Sequence, residues 1–421
     1  MFLKEIELTN FKCHESLYLN FDTVESGGKF RKTTFLLGEN GTGKSALLKA
    51  IALITAGSTA LGDLLGVSDD WIKNGHDFCE IKAVIKPLRG EEHELKLRIE
   101  RNASLSAIIS KNLESLEWID RAIAHTDRNY FVAGYGASRR LNKDSQFFSN
   151  DKRSSSARSQ NIQSLFNTDS SLISLSSWAI ELDYTNSNEG LATVKKALDA
   201  FLVDNVKFKT IDKQRKQLIF STPDGEIPLE QLSDGYQNVA AWVGDLMYRI
   251  NDNFHNFNEP LKARGLLLID EIDLHLHPKW QRQLYNFLKN KLPNFQVIAT
   301  THSPLTVQQA DENELYALRR SGKKVELIPF RGAPNKMLLH QILMSPVFGL
   351  ETDESLEVER AKTKIRSISL KPEHSDADKT ALRSLTGFIE ETPMNLRSNG
   401  LLTGEDVELL NTINRELKAK K

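Results

Sequence analysis

The stretch "FLLGENGTGKSALLKAI", Phe35 to Ile51, sets glycines, a lysine and a serine at a spacing suited to holding a chain of phosphates. Gly38, Gly43, Lys44 and Ser45 fit the pattern G-x-x-x-x-G-K-[ST], with Glu39, Asn40, Gly41 and Thr42 forming the rest of the loop. Glycines let the backbone turn its N–H groups inward around phosphate oxygens, and a helix opening at the lysine adds a favourable partial charge. Lys44 is then placed to reach the β and γ phosphates, and Ser45 to hold Mg²⁺. The flanks agree: an apolar run, "TTFLLG", enters the loop, and "SALLKAIALI" leaves it with helical spacing.

Two further stretches belong to the same chemistry. In "LLLIDEID" the apolar residues Leu266 to Ile269 predict a buried strand that delivers Asp270 and Glu271 to its carboxyl end, the edge where α/β sheets bind ligands. Asp270 is placed to support the Mg²⁺ shell, and Glu271 is the candidate base for an attacking water. In "QVIATTHSPL" a second apolar strand brings Thr301 and His302 to the same edge. The segment "QLSDGYQ" opens a helix whose Val239, Trp242, Leu246 and Ile250 share an apolar face; alone, its Ser233 reads as a plain N-cap.

Taken in order, these motifs resemble the ABC-type ATPase head of the chromosome-maintenance, recombination and double-strand-break repair ATPases. The likeness runs over about residues 1–330 in motif order. It implies ATP and Mg²⁺ as ligands and makes Ser233 and Gly235 the signature that caps a γ-phosphate held by another protomer. His302 becomes a catalytic switch beside Glu271, and Lys12, within "LTNFKCHESLYLNF", lies near the nucleotide. A homodimer or higher homo-oligomer follows, with each site shared. One departure stands out: the family's glutamine loop has no match, since Gln146, Gln160 and Gln163 lie in or near a polar segment. The histidines of "IDLHLHP" could join His302 around zinc, but that stretch resembles the dimer-interface segment that follows the catalytic glutamate in these ATPases.

"YGASRR" and "ILMSPVFGLET" are similar to stretches of a bacterial defence group that includes the ATPase subunit of Septu-type antiphage systems. That likeness implies a separate effector nuclease of HNH type, encoded nearby and regulated by the ATPase. The alternative is a repair ATPase that clamps DNA. The basic segment with Arg139, Arg140, Lys143, Lys152, Arg153 and Arg158 is a candidate surface for docking the nuclease, and Arg153 and Arg158 within it are candidates for a DNA contact. "HSDADK" carries Asp376 and Asp378 but no apolar strand before them, so cleavage is not assigned to this chain.

The elements that must position these residues read as an α/β fold: an ABC-type head with a mixed sheet flanked by helices, plus an insertion and a mostly helical C-terminal tail. The head takes residues 1–331 as two lobes, with a serine-rich insertion at about 150–176 read as a solvated loop. Residues 332–421 form the tail, a candidate surface for partner docking. The stretch from about 80 to 133 looks strand-rich, and "GLATVKKALDAFL" has helical spacing. With 55 basic and 56 acidic residues, no overall charge argues for a polyanion partner. No apolar run approaches the roughly 18 residues a membrane span needs, so no membrane partner is expected. Cys13 and Cys79 lack metal-type spacing, which fits a reducing, cytoplasmic setting.

Overall fold

Alternation of apolar and polar residues builds the first layer. Strands β1 (Phe2–Phe11) and β2 (His14–Asn20) pair antiparallel with Leu8 opposite Leu17 and Ile6 opposite Leu19, so one face is apolar throughout. The chain then runs through β3 (Thr33–Gly38) into helix α1 (Lys44–Thr55) and returns as β4 (Phe78–Lys86) and β5 (His93–Glu100). These complete an antiparallel sheet in the order β2-β1-β4-β5. The computed structural model describes residues 2–22, 30–87, 91–124, 130–139, 156–170, 172–185, 195, 198–199, 202, 206–254, 262–322, 324–350, 352, 354–371 and 373–391.

After β6 (Tyr130–Tyr135) come the small antiparallel sheet β7 (Lys207–Asp212), β8 (Gln217–Thr222) and β9 (Gly225–Pro228), and helix α2 (Asp234–Asn253). The sequence continues through β10 (Arg264–Ile269), α3 (Pro278–Lys291), β11 (Phe295–Thr300), β12 (Leu315–Ser321) and β13 (Lys324–Pro329). The central sheet has the order β13-β12-β3-β11-β10-β6. Its strands run parallel except β13, which pairs antiparallel with β12.

Each central strand feeds two cores. Leu266 and Leu268 of β10 pack with α1 and the first sheet, while Leu267 and Ile269 pack with α2 on the other face. That is why these strands read as unbroken apolar runs. Gln296 is the exception within β11; its amide exchanges two hydrogen bonds of 2.8 Å with the backbone of Leu3, which satisfies a buried polar group and ties the sheets together.

Two expectations change and one lies outside the described residues. The region between β5 and β6 holds helices at Leu105–Lys111 and Leu113–Ala124, anchored by buried Ile108, Leu116 and Ile119. The described part of the serine-rich segment is packed, not solvated: Ser159 and Ile162 are fully buried. Asn161 accepts from the Gly134 N–H at 2.9 Å and Ser164 donates to the Gly134 carbonyl at 3.0 Å, so the segment covers β6, the edge strand of the sheet. The helix expected at 190–202 lies almost wholly outside the described residues.

The chain divides into two units, Met1–Gly349 and Leu350–Lys421. Ile342 is buried in the core of the first, so residues 332–349 belong with the head. Helices α4 (Leu356–Ser369) and α5 (Asp376–Glu391) belong to the second. No described helix is long and apolar enough to cross a membrane.

Candidate functional site

Parallel register brings the predicted residues to one edge. Gly38 at the end of β3 pairs with Leu318, Ile269 at the end of β10 lies opposite Ala299 and Tyr135, and Thr300 ends β11. The phosphate loop, the acidic pair and "THSP" therefore leave neighbouring strands in the same direction.

Within the loop, Gly38, Gly41 and Gly43 take φ of 147°, 78° and 88°. A Cβ at Gly38 would strike the Leu318 carbonyl, and one at Gly43 would strike Cys13 Sγ and His14 Nε2. Only glycine fits both positions. Glu39, Asn40 and Gly41 are exposed, whereas Thr42 is buried and donates to the Glu39 carbonyl at 2.8 Å. Lys44 opens α1 and donates to the Gly38 carbonyl at 2.7 Å and the Glu39 carbonyl at 3.1 Å, with Ser45 half-buried beside it. Burial depresses the Lys44 ammonium, and the charges of Asp270 and Glu271 act in the opposite direction. A desolvated lysine next to exposed loop backbone, a half-buried hydroxyl and two carboxylates form a donor set that fits a triphosphate with Mg²⁺.

The acidic turn is held from both sides. Asp270 donates its N–H to the Tyr135 carbonyl at 2.8 Å; Glu271 donates its own to Thr300 Oγ1 at 2.7 Å, and Ile272 to the Thr300 carbonyl at 3.0 Å. Thr300 Oγ1 in turn donates to Asp270 Oδ1 at 2.6 Å. Glu271 adopts φ 47°, in the left-handed region. Arg139, the fifth residue of "YGASRR" and named above only within the basic segment, donates to the carbonyls of this turn. Its guanidinium donates to the carbonyls of Asp270 (2.8 Å), Glu271 and Ile272 (3.5 Å), and its Nε to Gly136 (3.1 Å). Next to this turn Asp273 is buried and accepts from Thr301 Oγ1 at 2.9 Å; burial pushes its carboxyl up. His302 follows, exposed to solvent.

Ser233 is the N-cap of α2, but its side chain accepts no hydrogen bond from that helix and is exposed. The plain capping role is therefore not the one it plays. Gly235 packs on the backbone after the acidic turn, where a Cβ would lie 3.0 Å from the His275 carbonyl. Tyr236 meets Trp280 edge-on at 4.8 Å between ring centroids. Val239, Trp242, Leu246 and Ile250 are buried together as their spacing predicts. Lys12 donates to the Asp70 carbonyl at 3.0 Å with its ammonium 4.3 Å from the Trp71 ring centroid.

Only two basic residues of the segment read as a docking or DNA-contact surface are described. Arg139 is buried under the acidic turn and Arg158 is paired with Asp120, while Arg140, Lys143, Lys152 and Arg153 lie outside the described residues. Among the described residues no group of histidine, cysteine and carboxylate side chains could hold a metal by itself.

A family model described as "AAA domain, putative AbiEii toxin, Type IV TA system" matches residues 33–308. The chain belongs to this family. Membership implies nucleotide binding, and the matched region runs from the first residue of β3 to just past "THSP". Among curated relatives, the Septu protein PtuA of Bacillus mycoides (strain KBAB4) is 30% identical over 353 residues, covering 83% of this chain and 45% of that protein. The aligned region is thus under half of that relative's own length. A "Retron Vc95 probable ATPase" of Vibrio cholerae serotype O1 biovar El Tor is 21% identical over 396 residues, covering 77% of this chain and 76% of that protein. Among solved structures, an Smc head bound to the C-terminal winged-helix domain of ScpA matches with a TM-score of 0.50 at 16% identity, over 79% of this chain and 98% of that one. The last likeness shows the fold: the α/β head with its mixed sheet.

Proposed function

We propose that this chain is the ATP-binding and hydrolysing subunit of a bacterial antiphage defence complex, forming nucleotide-sandwich dimers that regulate an associated HNH-type nuclease. The observation that carries the reading is the convergence of Lys44, Asp270, Glu271 and His302 on one sheet edge. Similarity to a Septu protein and to a retron ATPase supports the defence setting.

In this reading Gly38 to Ser45 cradle the phosphates with backbone N–H groups, and Lys44 exchanges its two carbonyl partners for phosphate oxygens. Ser45 and Asp270 would hold Mg²⁺, which would neutralise charge on the phosphates. Thr300 fixes Asp270 through its carboxylate and Glu271 through its N–H, so the second carboxylate is aimed by the first one's support. Glu271 takes a proton from the attacking water. His302 contacts the γ-phosphate, and the exposed Ser233 hydroxyl with Gly235 caps it from a second protomer. Lys12 lies along the nucleotide, and the second unit docks the effector.

The test is purification from the native operon. A nuclease that co-purifies, together with ATP hydrolysis lost in Lys44→Ala along with nucleotide binding, supports the proposal. Hydrolysis strongly stimulated by DNA with no co-purifying partner would instead favour a DNA-clamping repair ATPase.

A further inference from the structure

The geometry points to Arg139 as a positioning residue for the hydrolytic turn. The inference rests on the ATPase reading above. Its starting point is that the turn Asp270–Ile272 is completely satisfied. Its three N–H groups go to Tyr135 and Thr300, on the strands either side of β10. Its three carbonyls all accept from one guanidinium, and that of Glu271 accepts from the Leu274 N–H at 3.0 Å as well.

A planar fork is suited to this task. Arginine offers five N–H donors in fixed relative directions, whereas a lysine offers three on a point charge. Glu271 needs such support because a residue with a Cβ at positive φ is held there only by its surroundings. The carboxylates facing Arg139 are Asp270, Asp273 and Glu271, and burial lowers the guanidinium to about 10, so it remains a cation at neutral pH.

The other end of the segment is anchored as well. Tyr135, at the end of β6, donates its hydroxyl to Asp245 Oδ2 at 2.9 Å in α2, and Asp245 is bonded to Arg249 of the same helix. A Cβ at Gly136 would strike the Ser164 carbonyl, so the chain between Tyr135 and Arg139 is pressed between the serine-rich segment and the acidic turn. The five residues Tyr135 to Arg139 therefore join the helix that starts at Ser233 to the backbone that aims Glu271.

The experiment compares Arg139→Ala and Arg139→Lys with wild type in the full-length chain, using ATP affinity without Mg²⁺, single-turnover hydrolysis with Mg²⁺, and hydrogen exchange of peptides across 264–280. A misplacement of the turn by about 1 Å should lower turnover by roughly 10²-fold in Arg139→Ala, with partial rescue in Arg139→Lys. Mg²⁺-free affinity should stay within about threefold of wild type, because the phosphate loop supplies it. Exchange should rise at residues 270–276 and not across α2. If Arg139→Ala does not fold, Arg139→Lys carries the same readouts. Unchanged turnover, or loss of affinity and protection throughout the chain together, would overturn the assignment. A wild-type protein that binds but does not hydrolyse ATP would sink the ATPase reading, while local exchange would still decide whether Arg139 holds the turn.

Discussion

Glu271 shows how little freedom the chemistry is left. Its backbone sits at φ 47°, a conformation that costs on the order of 1–3 kcal/mol for a residue with a side chain, offset by hydrogen bonds from two neighbouring strands. The carboxylate is thereby aimed by the scaffold before any ligand arrives. Glu271→Gln keeps the side chain's shape and removes its basicity. Equilibrium binding of MgATP should be retained and phosphate release should fall by roughly 10²-fold or more; wild-type turnover in this variant would remove Glu271 from the role. At this scale the carboxylates were legible because an apolar strand precedes them and a phosphate loop lies upstream. Arg139 was not, because its partners are backbone carbonyls more than a hundred positions away, which no side-chain pattern records.

Helix α2 joins the site to the core. Its apolar face was readable from spacing, but its polar anchor was not. Asp245 and Arg249 form a buried pair one turn apart, with Asn161 accepting from Arg249 at 3.2 Å and Tyr135 donating to Asp245. The serine-rich segment differs from its reading for a related reason: serines look solvated in sequence, but here the Ser164 hydroxyl and the Asn161 carbonyl satisfy the backbone of Gly134 in an edge strand. Parallel order and the sheet edge were recoverable because apolar strands ended in ligand-type residues. The N-terminus of α2 carries a prediction of its own. Ser233 is exposed and caps nothing within its own helix, so Ser233→Arg should leave the fold and single-protomer ATP binding intact. Bulk and charge at that position should block a closed dimer. Light scattering should show wild type, but not the variant, doubling in mass with ATP; ATP-dependent dimerisation of the variant would contradict a shared site.

At the scale of the whole molecule, the motifs all fall in the first unit, and the second contains none of them. The boundary after Gly349 is a better place to cut than Arg331, since Ile342 is buried in the head's core and Val347 and Phe348 pack against it. The second unit presents Leu356 and Leu370, which are 69% and 77% exposed. Isolated exposed leucines are ordinary on a protein surface and do not by themselves mark an interface. The reason to test this unit is that the motif residues and the residues of both core clusters all belong to the first unit. Deleting residues 350–421 should therefore lower capture of the neighbouring gene product while ATP affinity stays within about twofold of wild type, because the groups proposed to hold phosphate lie in the first unit. A pull-down and a nucleotide titration on the same truncated protein read the two effects separately. Full retention of the partner would move the docking surface onto the head. Loss of ATP binding would show that the second unit stabilises the site it was expected only to serve.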